Sequence, residues 1–68
     1  MTDIREALGG KVKKIRQKRK MSQEELAFKA ELHRTYISDI ERGRRNVSIK
    51  NIEKIAKAFK ISLKELMP

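Results

Sequence analysis

The chain contains no cysteine and one histidine, His33. That excludes disulfides and any thiolate or multi-histidine zinc site. Tryptophan is also missing, and Phe28, Tyr36 and Phe59 are the whole aromatic complement. An amphipathic membrane-surface protein needs aromatic anchors along a continuous apolar face, and RNA-binding modules display stacking aromatics, so both readings are disfavoured. No apolar run approaches the roughly 20 residues of a membrane span. The opening Met1-Thr2-Asp3-Ile4 is not a secretory signal. A soluble, intracellular protein is expected. Catalytic constellations are missing too: there is no histidine with a nucleophile and carboxylate in motif spacing, no glycine-rich phosphate loop and no metal cluster. We therefore expect no enzyme, no cofactor and no small-molecule substrate.

Acidic residues are outnumbered two to one. Nine Asp and Glu stand against eighteen Lys and Arg, a formal charge of +9 with a pI near 10.3. Such a field attracts polyanions, either nucleic acid or an anionic membrane. With 40% of residues charged, disorder is the competing reading. The regular helical spacing of the apolar residues argues against it. At 68 residues there is room for one domain, residues 1–68, with one small core. A chain of this size buries only about 60% of its unfolded surface, and oligomerisation is the reinforcement left to it.

Ile4, Leu8, Val12 and Ile15 step by four, four and three, one face of a first helix. Gly9 and Gly10 interrupt it at a cost of about 1 kcal/mol each. Seven of the ten residues from Lys11 to Lys20 are basic. Lys11, Lys13, Lys14, Lys18, Arg19 and Lys20 read mostly as a diffuse, solvated field. Ser22 and Glu25 form a capping box for a second helix carrying Leu26, Ala27 and Ala30. A short turn, Glu31-Leu32-His33, leads to a third helix with Tyr36, Ile37 and Ile40 on its buried side. Gly43 ends that helix, and Arg44-Arg45-Asn46 form a loop. Ser48 caps a fourth helix striped by Ile52, Ile55, Ala56 and Phe59. Ser62 and Glu65 open a short fifth one with Leu63, Leu66 and Met67. No strand alternation, repeat or linker is present, so the fold class is all-α.

On the third helix, at 100° per residue, Arg34, Thr35, Ser38 and Arg42 fall opposite the apolar side, with Asp39 at the margin. A recognition helix reads bases with its first turns. Arg34 has the fork geometry for guanine O6 and N7, and Thr35 suits a base edge or a thymine methyl. A capped helix, a tight turn and a helix with a polar outer face make a helix-turn-helix.

Ser22-Gln23-Glu24-Glu25-Leu26-Ala27 and Tyr36-Ile37-Ser38-Asp39-Ile40-Glu41-Arg42-Gly43 resemble the Cro and repressor helix-turn-helix family. Within it, the stretch His33 to Gly43 is similar to the recognition helices of restriction-modification controller proteins. The resemblance runs from about Val12 to Leu66 and implies a compact five-helix, lambda-repressor-like DNA-binding domain. Two positions depart from the commonest pattern: Glu31 stands where a glycine often turns, and His33 where Ser or Thr often caps.

The resemblance implies a sequence-specific transcriptional regulator that binds double-stranded DNA as a homodimer. It also implies a prokaryotic or phage source and a cytoplasmic, nucleoid-associated location. Arg34, Thr35, Ser38 and Asp39 are the expected base readers. Gln23, Tyr36, Arg42, Arg44, Arg45, Asn46 and Ser48 are the expected phosphate contacts, which position without specifying. Asp39 has an alternative role as an i,i+3 partner of Arg42. In the family an arginine at the place of Arg16 pairs with a glutamate at the place of Glu41, implying a largely buried ion pair.

One recognition helix discriminates too little against on the order of a million competing sites. Two copies on a two-fold axis would read half-sites about 34 Å apart. Ile61, Leu63, Leu66 and Met67 are candidates for the dimer surface, with core closure the competing use, favoured for Leu63 and Leu66. Glu24 and Glu25 are a candidate contact for RNA polymerase. An antitoxin-like or other protein-interaction module on the same fold is the alternative function.

Overall fold

The computed structural model describes residues 3–68, and every element within them is helical. Among the described residues the order is α1 (Ile4–Lys18), α2 (Gln23–Ala30), α3 (Arg34–Glu41), α4 (Ile49–Phe59) and α5 (Leu63–Leu66). Helix α1 packs on α3 and α5, α2 on α3 and α4, and α4 on α5. Val12, Leu26, Ile37, Ile40, Ile55, Phe59 and Leu66 fill the centre, one or more from each helix. Periodicity placed Ile4 on the buried face of α1, but it lies 68% exposed, one turn before the body of the domain.

Four of the five helix starts have a side-chain cap. The Asp3 carboxylate accepts from the Arg5 N–H at 2.8 Å. Its pKa lies below the ordinary value because the Arg5 side chain and backbone both donate to it. Ser22 with Glu25 and Ser62 with Glu65 form reciprocal capping boxes, and Ser48 accepts from the Asn51 N–H at 3.2 Å. Among the described residues His33 caps α3 without a side-chain hydrogen bond.

The ends of α1 to α4 share one device. The N–H groups of Met21, Leu32, Arg44 and Ile61 reach back five residues to the carbonyls of Arg16, Ala27, Asp39 and Ala56, at 3.0, 2.9, 3.0 and 3.0 Å. The residue before each donor, namely Lys20, Glu31, Gly43 and Lys60, is left-handed. This is the Schellman closure, in which an apolar residue after the left-handed one folds back on the helix. Met21 is buried, and Leu32 and Ile61 pack against the core. Glycine would avoid a cost of about 1 kcal/mol at such a site, yet three of the four are Lys or Glu.

Gly9 and Gly10 do not interrupt α1, which is continuous through both. A Cβ on Gly9 would sit 2.1 Å from the Ile40 carbonyl oxygen and 3.0 Å from that of Glu41. Gly9 is the point where the α1 backbone touches the end of α3. At Gly43 (φ +71°) a Cβ would meet Glu6 Cγ at 2.7 Å, so this turn also closes against α1. At Gly10, by contrast, the Cβ position is open among the described residues.

The two neighbouring glycines should therefore respond oppositely. Gly10→Ala should stabilise the domain by about 1 kcal/mol through helix propensity. Gly9→Ala should destabilise it by about 2 kcal/mol or more, because a backbone carbonyl cannot move aside cheaply. Urea titration followed by circular dichroism measures both.

Candidate nucleic-acid interface

Arg16 and Glu41 meet across α1 and α3. The guanidinium donates through Nε to Glu41 Oε2 at 2.7 Å and through Nη2 to Oε1 at 3.0 Å. Its Nη1 donates to the Met21 carbonyl at 2.8 Å, and the Gln23 carboxamide donates to Glu41 Oε1 at 3.1 Å. The side chains are 12% and 4% exposed. Hydrogen bonding to Glu41 raises the Arg16 pKa above its ordinary value; burial opposes this and the carboxylate charge adds to it. One carboxylate thus joins α1, α2 and α3. Paired so completely, the buried charges meet the condition under which burial is tolerable.

This clamp leaves the first turn of α3 outward. Arg34 and Thr35 are exposed, Ser38 and Asp39 are half-buried, and Ile37 and Ile40 face the core. Arg34 lines one shallow cleft with Arg16, Ser22, Gln23 and Glu24, so it stands beside the N-terminus of α2. The unpaired N–H groups of a helix N-terminus favour an anion there. Gln23, read from sequence as a free phosphate ligand, has its carboxamide engaged with Glu41. Its backbone N–H occupies the first position of α2, next to that cleft.

The far side of α3 carries a second cluster. The Arg45 guanidinium lies over the Tyr36 ring, 4.6 Å from its centroid, and Arg45 Nη2 stands 3.4 Å from Asp39 Oδ2. The Tyr36 hydroxyl accepts from the Asn51 side chain at 2.8 Å. Asp39 therefore pairs with Arg45 across the loop, where i,i+3 spacing had pointed to Arg42; the turn at Gly43 folds the loop back over α3. Arg42, Arg44, Arg45 and Asn46 are all exposed along this loop. The Ser48 hydroxyl caps α4 while remaining at the surface. Asn51 was not singled out by sequence; its place three residues after a cap, off the apolar stripe of α4, is the signal that could have found it.

Two members of the basic run are structural, contrary to their reading as solvated charge. Lys11 Nζ donates to the Met67 carbonyl at 2.9 Å. Arg19 donates to the Phe59 carbonyl and lies over the Phe59 ring at 5.6 Å. Both cations sit at helix C-termini, where orphan carbonyls and the helix dipole attract them.

The apolar C-terminal residues separate. Leu66 is fully buried and closes the core, which leaves it no surface for a partner. Leu63 packs against the core, and Ile61 does so as the apolar residue of the α4 closure. Met67 also packs against the core and in addition lines a cleft with Ile4, Leu8, Val47, Ile49 and Ile52, where Ile49 is 64% exposed. Among the described residues no cluster of three or more His, Asp or Glu is placed to hold a metal. No helix among them is long and apolar enough to cross a membrane.

A scan of family profiles matches residues 12–66 to the helix-turn-helix family. Control protein C.BamHI of Bacillus amyloliquefaciens is 61% identical over 96% of this chain and 82% of its own length. The chain belongs to the helix-turn-helix family of control proteins. Among solved structures, the restriction-modification controller protein C.AhdI from Aeromonas hydrophila superposes with a TM-score of 0.90 at 41% identity, covering 93% of this chain and 96% of that one. C.Esp1396I, solved bound to a 25-base-pair operator site, superposes at 0.83 with 44% identity over 91% and 82% of the two chains. The sequence resemblance and the five-helix, all-α architecture drawn from it agree with these matches.

Removing the Glu41 carboxylate strands Arg16 in a site nearly closed to water. Glu41→Ala should cost about 3–5 kcal/mol, enough to unfold much of a small domain at room temperature. An unchanged urea midpoint would show that the clamp is not a support of the fold.

Proposed function

We propose that this chain is a restriction-modification controller, a transcriptional regulator that binds palindromic operator DNA as a homodimer. The observation that carries the reading is the outward first turn of α3, with Arg34 and Thr35 beside the N-terminus of α2 and the Arg16–Glu41–Gln23 clamp behind them. In this arrangement the N-terminus of α2 and the loop cations hold phosphates on either side while Arg34, Thr35 and Ser38 address base edges. Arg42, Arg44, Asn46 and Ser48 follow the backbone. The family is one of transcriptional regulators rather than enzymes, and regulation by binding requires no chemistry from these side chains. Operator binding would put its site of action at the nucleoid, in the cytoplasm.

Selection of random duplexes by the purified protein at physiological salt should enrich a palindrome. Arg34→Ala should cost about 1–3 kcal/mol at one base pair of each half-site and relax the preference there. Enrichment of no motif by the wild-type protein would contradict the reading.

The second copy docks, on this proposal, through Ile49, Met67 and Ile4 rather than through Ile61 or Leu66. These residues line one mainly apolar cleft, shared with Arg5, Arg45 and Asn46, at the N-terminal end of α4, immediately after the DNA-facing loop. A two-fold axis there would have to set both recognition helices on one face of the duplex. Ile49→Glu should sediment as a monomer of 8.0 kDa at tens of micromolar while keeping its helical spectrum. A variant that still dimerises would place the interface elsewhere.

Phe28 favours a protein partner as well. It is 84% exposed on α2 and lines an open cleft with Glu24 and Glu25, an acidic and apolar patch on a basic protein. RNA polymerase bound beside the operator is the candidate partner. Phe28→Ser, which lies outside the Arg34 cleft, should then abolish activation of a reporter while leaving operator affinity intact; loss of both together would argue against a separate contact.

A further inference from the structure

Asp39 is a carboxylate on the helix face that, in the reading above, meets a polyanion. It stands between Ser38 and the core residue Ile40, half-buried at the margin of the base-reading row. Facing phosphates with no compensation, it would weaken every DNA complex. The structure shows where its charge goes. Asp39 Oδ2 holds Arg45 Nη2 at 3.4 Å, and the same guanidinium is stacked on Tyr36 at 4.6 Å. Tyr36 is fixed in turn by the 2.8 Å bond from Asn51. The side chains of Arg45 and Asp39 are 49% and 30% exposed, so the pair is accessible to a ligand.

We propose that Asp39 sets specificity by withholding Arg45 from DNA of the wrong sequence. This rests on the regulator reading above. In the free protein, and on random duplex, the carboxylate neutralises Arg45 and keeps it over the Tyr36 ring. Moving Arg45 to a phosphate there strands Asp39 against the DNA. On the operator, an exocyclic amino group at the major-groove edge, such as cytosine N4, donates to Asp39 and replaces Arg45. Arg45 then swings to the backbone at no net loss of pairing. A contact that elsewhere adds only general affinity is made conditional on sequence.

The test compares Asp39→Asn with wild type on the palindrome enriched by selection and on random duplex of equal length, over a range of salt. Asp39→Asn should bind random duplex about eightfold more tightly at 0.1 M salt, with a log–log salt slope steeper by about 0.9, the signature of one further phosphate contact. Its preference for the palindrome should fall. Arg45→Ala should weaken random-duplex binding in the wild-type background, because it leaves Asp39 uncompensated, without lowering the salt slope, and should remove the added slope in the Asp39→Asn background. Unchanged random-duplex affinity and slope in Asp39→Asn, with the wild-type preference intact, would overturn the role of Asp39 alone. No preference for any duplex in the wild type would overturn the regulator reading and this inference with it.

Discussion

The Glu41 carboxylate is the point on which the arrangement of the first three helices depends. It receives Arg16 from α1 and Gln23 from α2 while belonging to α3, within a site almost closed to water. Gly9 lets the α1 backbone touch the carbonyls of Ile40 and Glu41, so the glycine contact and the ion pair fasten the same end of α3. Gly43 completes the fastening against Glu6. With its C-terminal end held on three sides, the helix presents its first turn outward in a fixed direction. A recognition surface needs that fixity, because phosphate contacts and base contacts must register together on a rigid duplex.

The rest of the domain conserves a small core by terminating its helices economically. At 68 residues it has little apolar surface to bury, so each helix end matters in proportion. The repeated Schellman closures return Met21, Leu32 and Ile61 to the core at each turn. Basic side chains at the ends of α4 and α5 satisfy carbonyls and still contribute to the positive field. Net charge and local structure are thus served by the same residues, which is how so basic a chain remains compact.

Much of this was legible in the sequence, for physical reasons. Helical periodicity and serine caps reveal helices because both are local, and the caps at Ser22, Ser48 and Ser62 lie where those residues predict them. The polar outer row of α3 follows from the 100° step alone. What was not legible depends on neighbours distant in the chain. Gly9 reads as a helix breaker until Ile40 is seen 2.1 Å from its missing Cβ. Arg45 reads as one more loop cation until the turn at Gly43 lays it on Tyr36 and Asp39. Leu66 could be weighed from sequence only between core closure, the favoured use, and a dimer surface; its burial between α1 and α4 decides for the core. Lys20 and Lys60 carry the left-handed turns that glycine would advertise; the apolar residue following each was the available sign. The clamp itself came from family resemblance, since nothing in local spacing links residues 25 apart.

The most direct test of the account separates the two roles of the clamp, supporting the fold and aiming the recognition helix. The double variant Arg16→Met, Glu41→Leu removes both charges and refills the space, a replacement that is often neutral in stability. Its affinities for the selected palindrome and for random duplex should be measured side by side. The account predicts a folded protein whose preference for the palindrome has fallen by about tenfold or more, because α3 and Gln23 have lost their common anchor while the phosphate field is retained. A double variant that folds and discriminates as well as the wild type would show that the orientation of α3 is set without the clamp.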